Sequence, residues 1–338
     1  MDDFLTHRNL VHAPEFPPGD WLNTPRPLSV QALRGRVFLV DIWDYTCVYW
    51  LRTLPYIREW YARYAPYGLE VIGVHTPAFA FGRERRQVEL ATQEFGVRYP
   101  VFLDNEFRVW NAYNNRFWPA RYLIDRHGLI RYSDFGEGGY AEFERVIQAL
   151  LREVDSSIDL PPIMQPLRDE DRPEVKRKRP TPELRGGLEG GALGNPEGYA
   201  GHIPVLYRLP RQRTSGAFYV AGAWQAGRDY LAYQGSGEGI IQLPYDAVEV
   251  NAVLSPHSDA VERLLHPDAV SVEIWQDERP IDDERRGADL TADGRVIINR
   301  PRIYNLVRNP AHESHELTIR VQARGVAVYA FSFVGGAG

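Results

Sequence analysis

The sequence predicts an α/β domain built on a central sheet over residues 1–154, a Pro/Gly-rich linker over 155–200 and an all-β sandwich, jelly-roll-like, over 201–338. Three observations lead there. Apolar strand-like runs alternate with helix-period segments in the first half. Between about 155 and 201 the composition shifts to proline and glycine, which cannot sustain long elements. Beyond 201 the hydrophobic period drops to two, in short runs separated by turns.

Taken in order, 37–43 is apolar except for Asp41 and reads as a buried strand. Residues 53–64 repeat apolar and aromatic side chains at helical spacing, with Pro55 in an early turn where it is tolerated. A second strand follows at 69–74, a polar-faced helix at 83–95 closed by Gly96, and a short strand at 99–103. The pair 120–124 and 128–134, turning at Arg126, His127 and Gly128, reads as a hairpin, and 140–154 as the last helix. Within the linker, Lys176-Arg177-Lys178-Arg179 is one isolated basic run and reads as solvated chain. The linker glycines lack the Lys-Ser/Thr ending of a phosphate loop. Short strands of the second half fall at 217–220, 240–243, 247–254, 271–275, 295–298, 317–321 and 326–333.

At 338 residues, 44% hydrophobic and 25% charged, the chain can bury two ordinary cores. A net charge of −6 gives no basic footprint for nucleic acid, and no run approaches the roughly 20 apolar residues that span a bilayer. Residues 1–7 lack the cationic and apolar regions of a leader. The expected setting is cytoplasmic, with neither nucleic acid nor membrane as partner. A single cysteine excludes an internal disulfide and fits that reducing compartment.

That cysteine, Cys47, stands in Asp41-Ile42-Trp43-Asp44-Tyr45-Thr46-Cys47-Val48-Tyr49-Trp50, which reads as an apolar strand, a turn and the start of a helix. A reactive C-x-x-C pair belongs at such a place, and here Trp50 holds the second cysteine's position. The continuation Leu51-Arg52-Thr53-Leu54-Pro55-Tyr56 and the later Gly73-Val74-His75-Thr76-Pro77 and Phe117-Trp118-Pro119-Ala120-Arg121-Tyr122-Leu123-Ile124-Asp125 complete a pattern. It resembles TlpA-like, redoxin-type proteins of thioredoxin fold. Pro301-Arg302-Ile303-Tyr304-Asn305-Leu306-Val307 and Tyr329-Ala330-Phe331-Ser332-Phe333 are similar to the C-terminal part of DipZ-type proteins, a sandwich resembling a carbohydrate-binding module. The resemblance spans nearly the whole chain, and the order of motifs is more specific than any one of them.

The resemblance implies a thioredoxin-like first domain in which Cys47 is the nucleophile and Pro119 a cis-proline facing it, the preceding backbone turned outward to pair with an extended substrate. At a helix N-terminus the Cys47 thiolate would be favoured over the thiol. Two departures from the family pattern accompany the match: Trp50 replaces the resolving cysteine, and Ala78 stands where an acid is expected after Thr76-Pro77. A mixed disulfide at Cys47 would then have no internal route to resolution. Trp50 is expected to overhang the sulfur, with Trp43, Tyr45, Tyr49, Phe117 and Trp118 crowding the same end as an aromatic-lined cleft. Cys47, Trp50 and Pro119 are thus the candidate catalytic residues, and Asp44, Thr46 and His75 join those five aromatics as the candidate substrate-binding set.

Other chemistries fit less well. A peroxidase would carry threonine three residues before its cysteine, where Asp44 stands. One cysteine and one histidine are too few to assign a metal, and no cofactor is assigned. His312-Glu313-Ser314-His315 lacks the helical metalloprotease spacing, and Gly235-Ser236-Gly237 is no nucleophile elbow. In the second domain Trp224, Tyr230, Tyr233, Trp275 and Tyr304 are candidates for a sugar-stacking platform or for core packing.

The leading expectation is a monothiol oxidoreductase-like protein acting through Cys47 with an external resolving thiol, its partners a small thiol or disulfide or a reductant protein. Two alternatives stay open. One is a repurposed thioredoxin-fold protein that binds or transforms a small molecule at Cys47, with or without a metal. The other is a non-catalytic binding or assembly module, any homo-oligomer forming through the sandwich.

Overall fold

The computed structural model describes residues 11–201 and 203–337. Residues 1–10, which include the start read above as carrying no leader, lie outside the described residues, as do His202 and Gly338. The chain divides into two compact units, Met1–Arg172 and Pro173–Gly338.

In the first unit, strands β1 (Val11–His12), β2 (Trp21–Leu22), β3 (Val37–Trp43), β4 (Leu69–His75), β5 (Val101–Leu103), β6 (Ala120–Ile124) and β7 (Leu129–Phe135) form one sheet, ordered β1-β7-β6-β3-β4-β5-β2. β3, β4 and β5 run parallel, and β6 and β7 turn antiparallel against them. Every residue of β3 is buried, because chain covers both faces of the sheet. Its side chains alternate. Phe38, Val40 and Ile42 enter a cluster with Ile72, Val74, Phe102 and Tyr122, whereas Asp41 and Trp43 point to the other face.

That other face is covered by α1 (Val48–Tyr64) and α4 (Tyr140–Val154). The two helices meet through stacked pairs, Tyr56 on Tyr140 at 3.6 Å and Trp60 on Phe143 at 4.9 Å. α1 begins five residues before the helical spacing becomes legible, since its first turn is held by packing rather than by an apolar stripe. α2 (Arg85–Glu94) and a short α3 (Arg108–Ala112), the latter without a sequence signal, complete the unit. The β6–β7 hairpin closes with Gly128 N–H donating to Asp125 O at 2.9 Å, and Gly128 supplies the positive φ of 80° that the turn needs.

The Pro/Gly-rich stretch, expected as a linker, is divided between the units. Residues 155–172 form an extended strap on α1 and α4. Tyr56 donates to Asp171 at 2.7 Å, Gln148 donates to Pro161 O at 2.7 Å, and the Met164 N–H donates to Glu144 at 3.0 Å. Residues 173–200 join the second unit, where Thr181 N–H donates to Asp246 O and β8 (Leu184–Arg185) pairs with its last strand. Proline-rich chain suits an extended strap satisfied by side chains rather than by its own ladder.

The second unit is a ten-stranded β structure of the sandwich class, with two short helices, α5 (Gly187–Gly190) and α6 (Ala260–Leu265). The strands predicted at 240–243 and 247–254 are one, Gly239–Ser255, and another runs over Arg302–Val321. These two pair along most of their length, with register shifts that let the first also reach the last strand, Ala327–Val334. From Gly239 to Ala247 buried and half-buried residues alternate, the period of two read from the sequence. Trp224, Tyr233 and Tyr304 are buried in the core, Trp275 lies under the Arg320 guanidinium at 4.1 Å, and Tyr230 packs against Tyr329. The five aromatics therefore do not assemble into a sugar-stacking face.

Close packing above the centre of the first sheet requires Gly73. A Cβ there would sit 2.8 Å from Trp43 Nε1 and 3.0 Å from the Tyr99 ring. Gly73→Ala is expected to lower stability by about 1–3 kcal/mol through overpacking, read as a reduced denaturation midpoint.

Candidate active site around Cys47

The site is built where β3 ends and α1 begins. Cys47 is the N-cap of α1, in extended conformation at φ −86° and ψ 110°, and is half-buried. Its carbonyl accepts the first helical bond, from Leu51 N–H at 3.1 Å. The seventeen residues that follow give the helix a full set of aligned peptide dipoles behind the sulfur.

Three residues before Cys47, Asp44 is buried and ties the surrounding loops together. Its Oδ1 accepts from Thr46 N–H at 2.7 Å and from the Thr46 hydroxyl, and its Oδ2 accepts from Ala78 N–H at 3.0 Å. His75 Nε2 stands 3.4 Å from the same Oδ2, at the long end of hydrogen-bond reach. Burial alone would push the Asp44 carboxyl upward. The contact with His75 and the donors on Thr46 and Ala78 outweigh it and hold the group below the usual carboxylate range. Asp44, Thr46 and His75 thus lie in the interior, where they fix the turn that carries Cys47.

The aromatic residues divide. Trp43, Tyr45 and Trp50 are fully buried. Tyr45 stacks on His75 at 5.5 Å, and Trp43 stacks on Trp50 at 4.1 Å with a 14° tilt. Trp50 does not overhang the sulfur as expected. It turns inward and its indole N–H donates to Asp41 Oδ2 at 3.0 Å. The outward residues are Tyr49 and Trp118, half-buried, and Phe117, 59% exposed. Trp118 donates its indole N–H to Thr76 O at 3.0 Å and lies against Trp110, and the Trp118–Pro119 peptide is cis, with Pro119 buried.

Asp41 is the acid that sequence reasoning missed by looking for it at position 78. A lone charge in an apolar strand, six residues before Cys47, was the available signal. Its side chain is fully buried, with Trp50 and Tyr99 as donors to Oδ2 at 3.0 and 3.5 Å, and Oδ1 has no hydrogen-bond partner among the described residues. Burial pushes its pKa up to about 7. The Trp50 donor, the charge of Arg121 and the Tyr99 hydroxyl limit the rise. Arg121 is the register partner of Asp41 on β6 and is itself buried, donating to Asp134 at 2.5 Å and to Gly136 O and Gly138 O.

The parallel β3–β4 pair, the cysteine that caps α1 after β3 and the cis-proline at the start of β6 define the first unit as a thioredoxin-like fold. Residues 12–133 match the AhpC/TSA family, and residues 186–334 match the thioredoxin-like C-terminal domain. The chain is 36% identical to Protein DipZ of Mycobacterium bovis over 245 residues, 69% of this chain and 33% of that protein. It therefore spans about a third of the length of the DipZ proteins it matches. Thiol-disulfide oxidoreductase ResA of Geobacillus kaustophilus is 28% identical over 152 residues, 44% of this chain and 83% of that protein. A thioredoxin-family thiol:disulfide interchange protein from Chlorobium tepidum aligns with 43% of this chain and 99% of its own at 20% identity and a TM-score of 0.37. The similarity is the one the motif order implied, a redoxin-type thioredoxin-fold domain followed by a DipZ-type C-terminal domain.

The buried acid carries a linkage prediction. An aspartate at about 7 in the folded state and about 4 in the unfolded state binds its proton more tightly when folded. Its burial is therefore uncharged and cheapest below about pH 4, and the penalty grows up to about pH 7, reaching an order of 4 kcal/mol. Asp41→Asn, which keeps an acceptor for the Trp50 N–H, is expected to gain on the wild type steadily between pH 4 and 7.5. Urea unfolding of both proteins across that range measures the gap, and a gap independent of pH would show that Asp41 does not titrate there.

Proposed function

We propose that this protein performs thiol-disulfide exchange through Cys47 alone and relies on an external thiol to complete the cycle. The observation that carries the reading is a half-buried cysteine capping a long helix while a buried tryptophan fills the resolving position. Its relatives' name, thiol-disulfide oxidoreductase, supports the chemistry.

In the proposed cycle the Cys47 thiolate attacks one sulfur of a partner disulfide. A new S–S bond forms to Cys47 as the partner's own S–S bond breaks, and the departing sulfur leaves with the electron pair as a thiolate that water protonates. A second thiolate, from a small thiol such as glutathione or from a reductant protein, then attacks the mixed disulfide. Cys47 leaves as thiolate, and the new disulfide departs with the second thiol. A thiol-rich compartment such as the cytoplasm would supply that step. The small-molecule reading has less behind it, because Trp43, Tyr45, Trp50 and His75, which would have lined its cleft, are packed inside.

Two measurements test the proposal. The rate of Cys47 alkylation by iodoacetamide, followed against pH, is expected to inflect below the about 8.5 of an ordinary cysteine, because the sulfur caps a helix N-terminus. Incubation with a peptide disulfide is expected to add the peptide mass to the wild type, releasable by glutathione, and nothing to Cys47→Ser. An ordinary inflection together with no adduct would refute it.

A further inference from the structure

The neighbourhood of Cys47 contains a second construction that the exchange chemistry does not use. Arg52 lies on α1 five residues beyond the cysteine, and its side chain is only 10% exposed. Its guanidinium is shared between two carboxylates: Nε donates to Glu137 Oε2 at 2.6 Å, and Nη2 donates to Glu170 Oε1 at 3.1 Å. Arg168 on the strap adds a bond from Nη1 to the Arg52 carbonyl at 2.8 Å. A mostly buried guanidinium with two acids is a built connection, and its fork geometry fixes direction as well as distance.

What it connects gives it a role. Glu137 belongs to the loop that follows β7, and the neighbouring Gly136 N–H donates to Pro119 O at 2.8 Å. Just before that loop, Phe135 packs edge-on against Phe117 at 6.2 Å, and both rings are exposed. Arg121 holds the same loop from beneath, through Gly136 O, Gly138 O and Asp134. The helix that presents Cys47 is thereby tied through Arg52 and Glu137 to the loop that supports Pro119 and the Phe117 rim.

We propose that Arg52, acting through Glu137, is a positioning residue that sets the Cys47 end of α1 against the Phe117–Pro119 loop, so that a polypeptide disulfide meets the sulfur and the loop in one geometry. The inference rests on the exchange reading above and concerns what Arg52 adds to it: capture of a polypeptide that extends past the sulfur onto the loop depends on this tie, whereas reaction of a small thiol that needs the sulfur alone does not. A small electrophile has no second wall to meet, and its rate is indifferent to this tie.

The test compares two reagents on the full chain. One is iodoacetamide. The other is a ten-residue peptide whose single cysteine is activated as the mixed disulfide with thionitrobenzoate, which releases a coloured thiolate when Cys47 captures the peptide. Arg52→Met and the isosteric Glu137→Gln are expected to slow peptide capture roughly tenfold while iodoacetamide alkylation stays within about twofold of wild type. Arg52→Lys, which keeps the charge and loses the fork, is expected to recover part of the rate. Melting curves of the variants separate loss of fold from loss of positioning. Peptide capture by Arg52→Met and Glu137→Gln at the wild-type rate, or equal slowing of both reagents, overturns the inference and leaves the exchange reading standing. A wild type that is alkylated yet never captures the peptide overturns the exchange reading and this inference with it.

Discussion

A carboxyl group placed at the centre of an apolar sheet is the constraint on which the first unit depends. Asp41 is buried in the middle of β3, and the surroundings must either neutralise it or supply donors. They do both. Burial raises its pKa to about 7, so it carries a proton for part of the ordinary pH range, and Trp50 and Tyr99 supply the donors for Oδ2. Meeting that need brings the Trp50 indole inward onto Trp43, and the stack in turn requires a residue without Cβ at Gly73. One acid thus accounts for the orientation of two tryptophans and for a glycine on the neighbouring strand.

A second carboxylate organises the loops above the sheet. Asp44 differs from Asp41 in its donors, not in its burial: two from Thr46, one from Ala78, and the nearby His75 keep it low where Asp41 is high. Through these bonds the turn before Cys47, the loop after β4 and, by way of Thr76 and Trp118, the proline loop on β6 are held to one another. The residues that would ordinarily be sought as substrate ligands act as the frame that aims the cysteine.

How far this was legible follows from the kind of information each feature needs. The strand, helix and hairpin order of the first unit, and the switch to period two in the second, are local patterns and could be read directly. Cys47 at a helix start was likewise readable, because the strand before it and the helix after it leave a turn of only a few residues. The direction of Trp50 was not, since it depends on Asp41 lying on the face of β3 that α1 covers, a matter of tertiary side rather than sequence spacing. The aromatics of the sandwich misled for a related reason: Trp224, Tyr233 and Tyr304 alternate into the core as any buried strand residue would, and type alone does not separate a platform from a packed interior. The strap over α1 escaped because proline-rich chain bonded to side chains leaves no periodic trace.

Under the proposed exchange, the tryptophan at position 50 also decides how the cycle would run in time. An internal resolving thiol acts at an effective concentration far above that of any free thiol, so a two-cysteine site discharges its mixed disulfide quickly. With an indole in that position, and its N–H engaged by Asp41, the lifetime of an adduct in the proposed cycle would be set by the concentration and reach of an outside thiol. In that cycle capture and release would be separate events under separate control. Such a site would hold its partner until a second molecule arrives, and a fixed geometry around Cys47 would then matter for which partner is captured more than for how fast it is let go.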